Sequence, residues 1–330
     1  VGDSTIRTFF SAIGRCGDYG REVEGTQGIV RRRAKWTIEV EVMQVAKALA
    51  ACVVLVASFL GAGQVVINEV GWGGTSASPY DEWIELYNPT DQPIDLSGWT
   101  LAWEGVAIPL GEEAGNTIRV INSVIPPYGF LLLERGGDDT VVGRQADLIY
   151  RGALANGGEA LRLLDPEGNV VSTANLDCPE GWWAGARGAS MERVAPEAPD
   201  GRFYWRTGVA GELLDAQGAP ILGTPGAPNL AYLSSPRVEQ TLPEGPLTGL
   251  VTWEWQASDP DTPENDLVVG LFVSYDGGAT LEPVAEGLPA SGSYDWDTSA
   301  WEPGTVLLVV KAVDPDGFWG VAVLETELAG

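Results

Sequence analysis

The sequence predicts an all-β protein: two tandem β-sandwiches preceded by a short N-terminal apolar signal helix. Three observations carry this. Turn formers are dense, with 43 Gly and 22 Pro in 330 residues, which suits many short strands rather than helix bundles. A 45% hydrophobic content that includes 13 Trp supplies real cores and argues against global disorder. Apolar residues recur with period two or in short runs between turn signals, the pattern of strands with a buried face.

Residues 1–42 show no sustained periodicity; the first residue is Val1 and the first methionine is Met43. From Met43 the chain has a positive Lys47, an uncharged apolar run Ala48–Leu60 and the small residues Gly61-Ala62-Gly63. This is the order of a signal peptide. The expectation is therefore a translation start at Met43, an unfolded upstream extension over 1–42, and a signal peptide over 43–63 cut before Gln64. The apolar run is shorter than the ~20 residues of a membrane span; an uncleaved anchor is the alternative. Either way the mature chain is expected outside the cytoplasm, secreted or on the cell surface.

Val65–Val70 reads as a first strand and Trp83–Tyr87 as a second, because aromatic and β-branched residues suit a pleated, half-buried surface. Asn88-Pro89-Thr90-Asp91 stops the second strand, Pro89 fixing its φ and biasing Asn88 away from helix. Ile94, Leu96 and Trp99 resume the apolar pattern. Trp99–Trp103, Ile118–Ile121, Phe130–Glu134 and Leu148–Tyr150 are further strands. Leu161–Leu164 and Val170–Thr173, split by Asp165-Pro166-Glu167-Gly168-Asn169, give the clearest hairpin signal in the chain.

The segments Val66-Ile67-Asn68-Glu69-Val70, Glu82–Asn88 and Asp95–Leu101 resemble the opening of a lamin-tail domain, a module of nuclear lamins and of many bacterial exported proteins. Ser190-Met191-Glu192-Arg193, Trp205 and Thr224-Pro225-Gly226-Ala227-Pro228-Asn229 are similar to its closing elements. The resemblance covers 64–231 and implies an immunoglobulin-like fold. It further implies a binding or tethering role, since bacterial members often accompany hydrolases. Insertions at 111–116, 177–187 and 208–220 depart from a minimal module. Glu69, Glu82 and Glu85 are expected to accept hydrogen bonds from turn amides, and Glu192 to pair with Arg193.

A short linker at 232–236 leads to a second pattern. Val251, Trp253, Trp255 and Ala257 alternate with polar residues. Leu267–Tyr275, the turn Asp276-Gly277-Gly278, a short strand at Tyr294 and Trp296, Val306–Val313 and Trp319–Leu328 follow. Seven short strands in 236–330 predict an immunoglobulin-like sandwich. It resembles a fibronectin type III-like module on Gly292–Trp296 and Ala312–Pro315.

Composition excludes several chemistries. With no histidine, a Ser-His-Asp triad, a Cys-His pair and a His-ligated zinc site are out. Of Cys16, Cys52 and Cys178, only the last lies beyond the signal peptide, so no intrachain disulfide is expected in the mature chain; Cys178 is an inert thiol or a link between two chains. Residues 64–330 carry 11 basic and 40 acidic side chains, net −29, which makes double-stranded nucleic acid a poor partner.

Two groups remain as candidate sites. Asp259, Asp261 and Asp266 follow the second strand of the C-terminal sandwich, and Asp314 and Asp316 follow the sixth. Those two loops share a pole in such a fold, and oxygen ligands gathered there suit calcium. The alternative is that Asp-Pro-Asp is turn chemistry. Trp72, Trp182 and Trp183 lie in Gly-rich loops, where indoles contact glycan or protein or fold back into the core. The expectation is a non-enzymatic protein that binds an extracellular or cell-wall glycan or protein, with no cofactor other than calcium. A secreted hydrolase or its accessory part, and a surface-layer subunit, are the alternatives.

Overall fold

Hydrogen-bonded pairing of the first apolar runs builds the centre of the fold. The computed structural model describes residues 65–329 except 177, 179 and 180; the expected signal peptide and upstream extension lie outside them. Strands β1 (Val66–Gly71) and β2 (Trp83–Tyr87) pair antiparallel, Val66 facing Tyr87 and Gly71 facing Trp83. The turn after β2 is fixed by Asn88, whose side-chain amide donates to the carbonyls of Gln92 (2.7 Å) and Pro126 (3.0 Å). β3 (Ile94–Asp95) and the hairpin β4 (Thr100–Trp103) and β5 (Val106–Pro109) follow. Next come β6 (Thr117–Val120), β7 (Val124–Ile125), β8 (Phe130–Arg135) and β9 (Leu148–Tyr150). β10 (Leu161–Leu164) and β11 (Val170–Ala174) form the signalled hairpin, and β12 (Met191–Arg193) and β13 (Trp205–Thr207) end the set.

These strands make a seven-stranded sheet, β13-β12-β1-β2-β8-β9-β6, facing a four-stranded one, β11-β10-β4-β5. Ile67, Ile84, Leu86, Leu101, Leu131, Leu161 and Trp205 are among the side chains of the core between them. The larger sheet also has a buried outer face. A register shift between Ile67 and Glu69 breaks the alternation, so Ile67 and Val70 both reach the core while Asn68 and Glu69 turn outward. There Trp83 and Leu132 meet Val141 and Ile221 in a second, smaller cluster. The chain after β13 covers this face, and Gly223 lets it approach: a Cβ there would lie 2.5 Å from a Glu69 carboxylate oxygen.

Segment 232–236 is not a plain linker. Leu230–Ser234 is a short helix, α1, with Ala231 buried. It starts after Asn229, whose amide is held inside the fold, so the backbone coils there before leaving.

The second group of strands is β14 (Arg237–Thr241), β15 (Leu250–Ser258), β16 (Val268–Ser274), β17 (Glu282–Leu288), β18 (Ser291–Asp297), β19 (Gly304–Val313) and β20 (Trp319–Leu328). Sheets β14-β15-β18 and β17-β16-β19-β20 stack. Trp253, Trp255, Trp296, Leu271, Leu308 and Val310 are among the buried side chains between them. The strand at Tyr294 and Trp296 is longer than expected. Its outer residues are Ser and Asp, which hide its alternation.

The two sandwiches touch through Arg206 of β13. Its guanidinium donates to the carbonyls of Phe203 (3.1 Å), Trp205 (2.9 Å) and Trp319 (2.7 Å) and lies 3.1 Å from the centroid of the Trp319 ring. Lys311 approaches the same ring at 4.6 Å. Cation–π contact with a desolvated guanidinium is among the stronger of its kind.

Candidate functional site

Among the most buried acidic groups are three glutamates side by side. In register, Glu69 of β1 faces Glu192 of β12 on one side and Glu85 of β2 on the other, and all three are at most 1% exposed. Like charges directly opposite destabilise a sheet, so the row favours the protonated form. Burial first, then the charges of Glu192 and Glu85, push Glu69 well above the usual carboxylate range. Burial also raises Glu85 to about 8 and Glu192 to about 7.

The row holds the covering chain. Glu69 accepts from the Ser190 hydroxyl (2.5 Å), the Thr224 amide (2.9 Å) and the Thr224 hydroxyl (3.1 Å). Glu85 accepts from the Gly226 amide and from Asn68 (2.9 Å). Glu192 accepts from the Ala231 amide (3.0 Å), while its Oε1 is buried without a partner. Asn229 completes the clasp by donating to the carbonyls of Asn68 (3.1 Å) and Arg193 (2.9 Å). Nearby, Glu82 accepts from the Leu154 amide (2.7 Å) and pairs with Arg135 (2.8 Å).

The expected Glu192–Arg193 ion pair is not formed. Adjacent residues of a strand point to opposite faces, and Arg193 turns inward. There it donates to the carbonyls of Ile67 (2.8 Å), Ala198 (2.7 Å) and Thr173 (2.6 Å), with its guanidinium 4.3 Å from the Trp205 ring centroid. The residue in register with Glu192 is Arg206, but that guanidinium is committed to Trp319.

The loop indoles are half-buried. Trp72 and Trp182 stack with rings 5.4 Å apart and 3° from parallel. The indole N–H groups of Trp72 and Trp182 donate to the carbonyls of Ala184 and Ala155, each at 2.9 Å. All three pack against the N-terminal core, and Arg202 lies 5.2 Å over Trp183. Beside this loop is a cavity of about 450 Å³, walled by Trp103, Glu104, Glu159, Arg162, Asn175 and Cys178. Burial, then the Glu104 charge, push Glu159 above its ordinary range.

At the end of the C-terminal sandwich where β15 and β19 stop, Asp259, Asp261 and Asp314 converge, with carboxylate oxygens within 4.8 Å of one another. Asp259 Oδ1 accepts from the amides of Asp261 (3.0 Å) and Thr262 (2.8 Å), and its Oδ2 is buried without a partner. Asp314, 6% exposed, accepts from the Phe318 amide (2.9 Å). Asp266 ends a 3₁₀ turn over Glu264–Asp266 and Asp316 lies in the turn before Phe318; neither belongs to the group.

Residues 61–176 match the family model described as Lamin Tail Domain. Over these residues the chain is similar to a lamin tail domain. The match stops at β11, yet β12, β13 and the clasp at 224–229 complete the sheet that the matched strands begin. Among solved structures, the PKD domain of M14-like peptidase from Thermoplasmatales archaeon SCGC AB-540-F20 is similar. It is 17% identical, over 29% of this chain and 94% of that one, with a TM-score of 0.21. No curated protein matches.

The three glutamates are sealed under the clasp, where their bonded oxygens meet amides and hydroxyls rather than solvent. They can hold backbone and protons. Among the described residues, the cavity and the aspartate pole each gather polar side chains from separate segments. Sequence reasoning missed the cavity because three separate segments, 102–104, 157–162 and 175–181, assemble it.

Proposed function

We propose that this chain is an exported, non-catalytic binding protein that grips glycan through the cavity beside the Trp182 loop. The observation that carries the proposal is the lining. Planar polar groups from Glu104, Glu159 and Arg162 stand around a Trp103 wall in a volume of about 450 Å³, the size of a pocket for one small ligand, while the buried Asn175 amide ties the wall together through Glu159, Gly181 and Trp183. Carboxylates and guanidinium form paired hydrogen bonds with vicinal hydroxyls, and the Trp72–Trp182 stack starts one residue beyond Gly181 of the lining, close enough for an aromatic contact with a longer ligand. Export is supported by the apolar run at Ala48–Leu60 after Lys47.

A glycan and cell-wall array probed with the full chain tests this. Saturable binding is expected, weakened at least about tenfold by Glu159→Gln, since a lost charged hydrogen bond is worth about 1.5–3 kcal/mol. Trp182→Ala is expected to weaken it as well. Equal binding by both variants would place the ligand elsewhere, and turnover of a bound glycan would make the protein an enzyme.

The aspartate pole supports a second reading, a calcium ion held by Asp259, Asp261 and Asp314. The orphaned Asp259 Oδ2 favours it, because three carboxylates this close repel unless a cation or a proton sits among them. Titration with millimolar calcium is expected to raise the melting temperature of the wild-type chain, with the rise lost in Asp314→Asn. An unchanged melting curve would leave these aspartates as turn residues.

A further inference from the structure

The free edges of the sheets differ in how they are closed. In the N-terminal sandwich the edge strands are short: β13 has three residues, β6 has four with a register shift, β5 has four with Pro109, and β11 has five with a register shift against β10. In the C-terminal sandwich, β20 is capped at one end by Leu247, which exchanges backbone bonds with Glu327 and Ala329 (both 2.8 Å). At its other end Pro236 lies against Gly320. β17 contains Pro283 and two register shifts against β16. Prolines, bulges and short lengths are the devices that keep an edge from pairing with another chain.

β14, the other edge of the three-stranded sheet, has five residues and begins directly after Pro236; β18 has none of these devices. Its seven residues, Ser291–Asp297, pair one for one with β15 without a shift, and it carries no proline or lysine. The bonding phase is fixed at both ends. The Ala257 amide donates to the Ala290 carbonyl (2.7 Å) and the Thr298 amide to the Gly249 carbonyl (2.8 Å). Bonded and non-bonded residues alternate in an antiparallel pair. Even-numbered residues of β18 therefore bond to β15, while Ser291, Ser293, Asp295 and Asp297 turn their N–H and C=O groups outward. All four are exposed.

We propose that β18 is a strand-addition site, and that its free edge pairs with an extended basic segment of a partner protein. Charge selects the occupant. Residues 236–330 hold 17 acidic and 2 basic side chains, and both bases lie over aromatic rings, Arg237 over Tyr232 and Lys311 over Trp319. The outward face beside the edge carries Asp295, Asp297 and, in register with Ser293, Glu254. A strand with lysine or arginine at alternate positions would continue the ladder and place its cations beside these carboxylates. A second copy brings the same negative field to the edge and is disfavoured by it. The site is independent of the glycan cavity, which lies in the other sandwich.

The test uses the full chain and an acetylated, amidated peptide of alternating lysine and valine, seven residues long. Saturable binding is expected, with amide exchange slowed at Ser293 and Asp295. The same peptide with glutamate for lysine is expected to bind at least tenfold more weakly. A backbone N-methylated peptide of identical charge should not bind. Ser293→Pro removes one outward donor and no bond to β15, and is expected to abolish binding. Should that variant fail to fold, Asp295→Lys keeps every backbone bond and is expected to lose binding by repulsion. Equal binding of the N-methylated peptide, undiminished binding by the variants, or β18-dependent self-association without peptide binding would each overturn the proposal.

Discussion

Lowering the pH from 8 to 5 is expected to raise the melting temperature of this protein, opposite to the usual acid destabilisation of a carboxylate-rich chain. The main cause is the row of Glu69, Glu85 and Glu192, and Glu82 and Glu134, each raised to about 7 by burial, act in the same direction. Unfolded, these side chains titrate near 4.5; folded, Glu192 is raised to about 7, Glu85 to about 8 and Glu69 well upward. A carboxyl whose folded value is raised binds its proton more tightly in the native state. The stability it lends is complete below about 4.5 and is lost as pH climbs through 7 to 8. Every tenfold gain in proton affinity on folding corresponds to about 1.4 kcal/mol, so Glu192 alone accounts for roughly 3 kcal/mol. For Glu85, the neighbouring Arg144 pulls down and Asp147 pushes up, but burial dominates both.

Acidification also relaxes repulsion among surface carboxylates, so the row is isolated by substitution. Glu69→Gln removes the central charge and keeps an acceptor for Thr224 and Ser190. The variant is expected to melt higher than wild type at pH 8 and to show a shallower slope between pH 5 and 8. Calorimetry across that range reads both; parallel curves for the two proteins would mean the row does not titrate there.

The second large effect is expected at Arg193. One guanidinium reaches Ile67 in the seven-stranded sheet, Thr173 in the four-stranded sheet and Ala198 in the loop after β12, so it staples the two sheets. Burial lowers it to about 10, against the favourable charge of Asp200, and it remains a cation at neutral pH. Arg193→Met keeps the apolar stem but strands three carbonyls and loses the Trp205 contact. A loss of about 3–5 kcal/mol is expected, because three carbonyls lose their donor at about 1–3 kcal/mol each where they are buried. Arg193→Lys is expected to be nearly as damaging, because a single ammonium lacks the planar fork that spans three acceptors. Denaturant unfolding checks this; a lysine variant within about 1 kcal/mol of wild type would show that the charge, not the fork, matters.

Local patterns revealed much of the architecture. Trp83–Tyr87, the hairpin at 161–174 and the alternation of Val251–Ala257 are strands in the structure. The expectation that Asp259 and Asp314 approach each other was legible because strand count alone places their loops at one end. What stayed hidden was nonlocal. Glu69, Glu85 and Glu192 look like solvent-facing strand positions until residues 208–231 fold over them, and nothing in a strand's own period announces a second cover. β17, with Pro283 and Gly287, lacks the alternation that would mark it. The Trp72–Trp182 stack joins residues 110 positions apart, so it depends on the finished fold.

Because no imidazole is present, the buried glutamates take the place in pH response that histidine holds elsewhere. Folding near neutrality therefore draws hydrogen ions from the surrounding buffer, and the native molecule carries fewer negative charges than a count of its acidic residues implies.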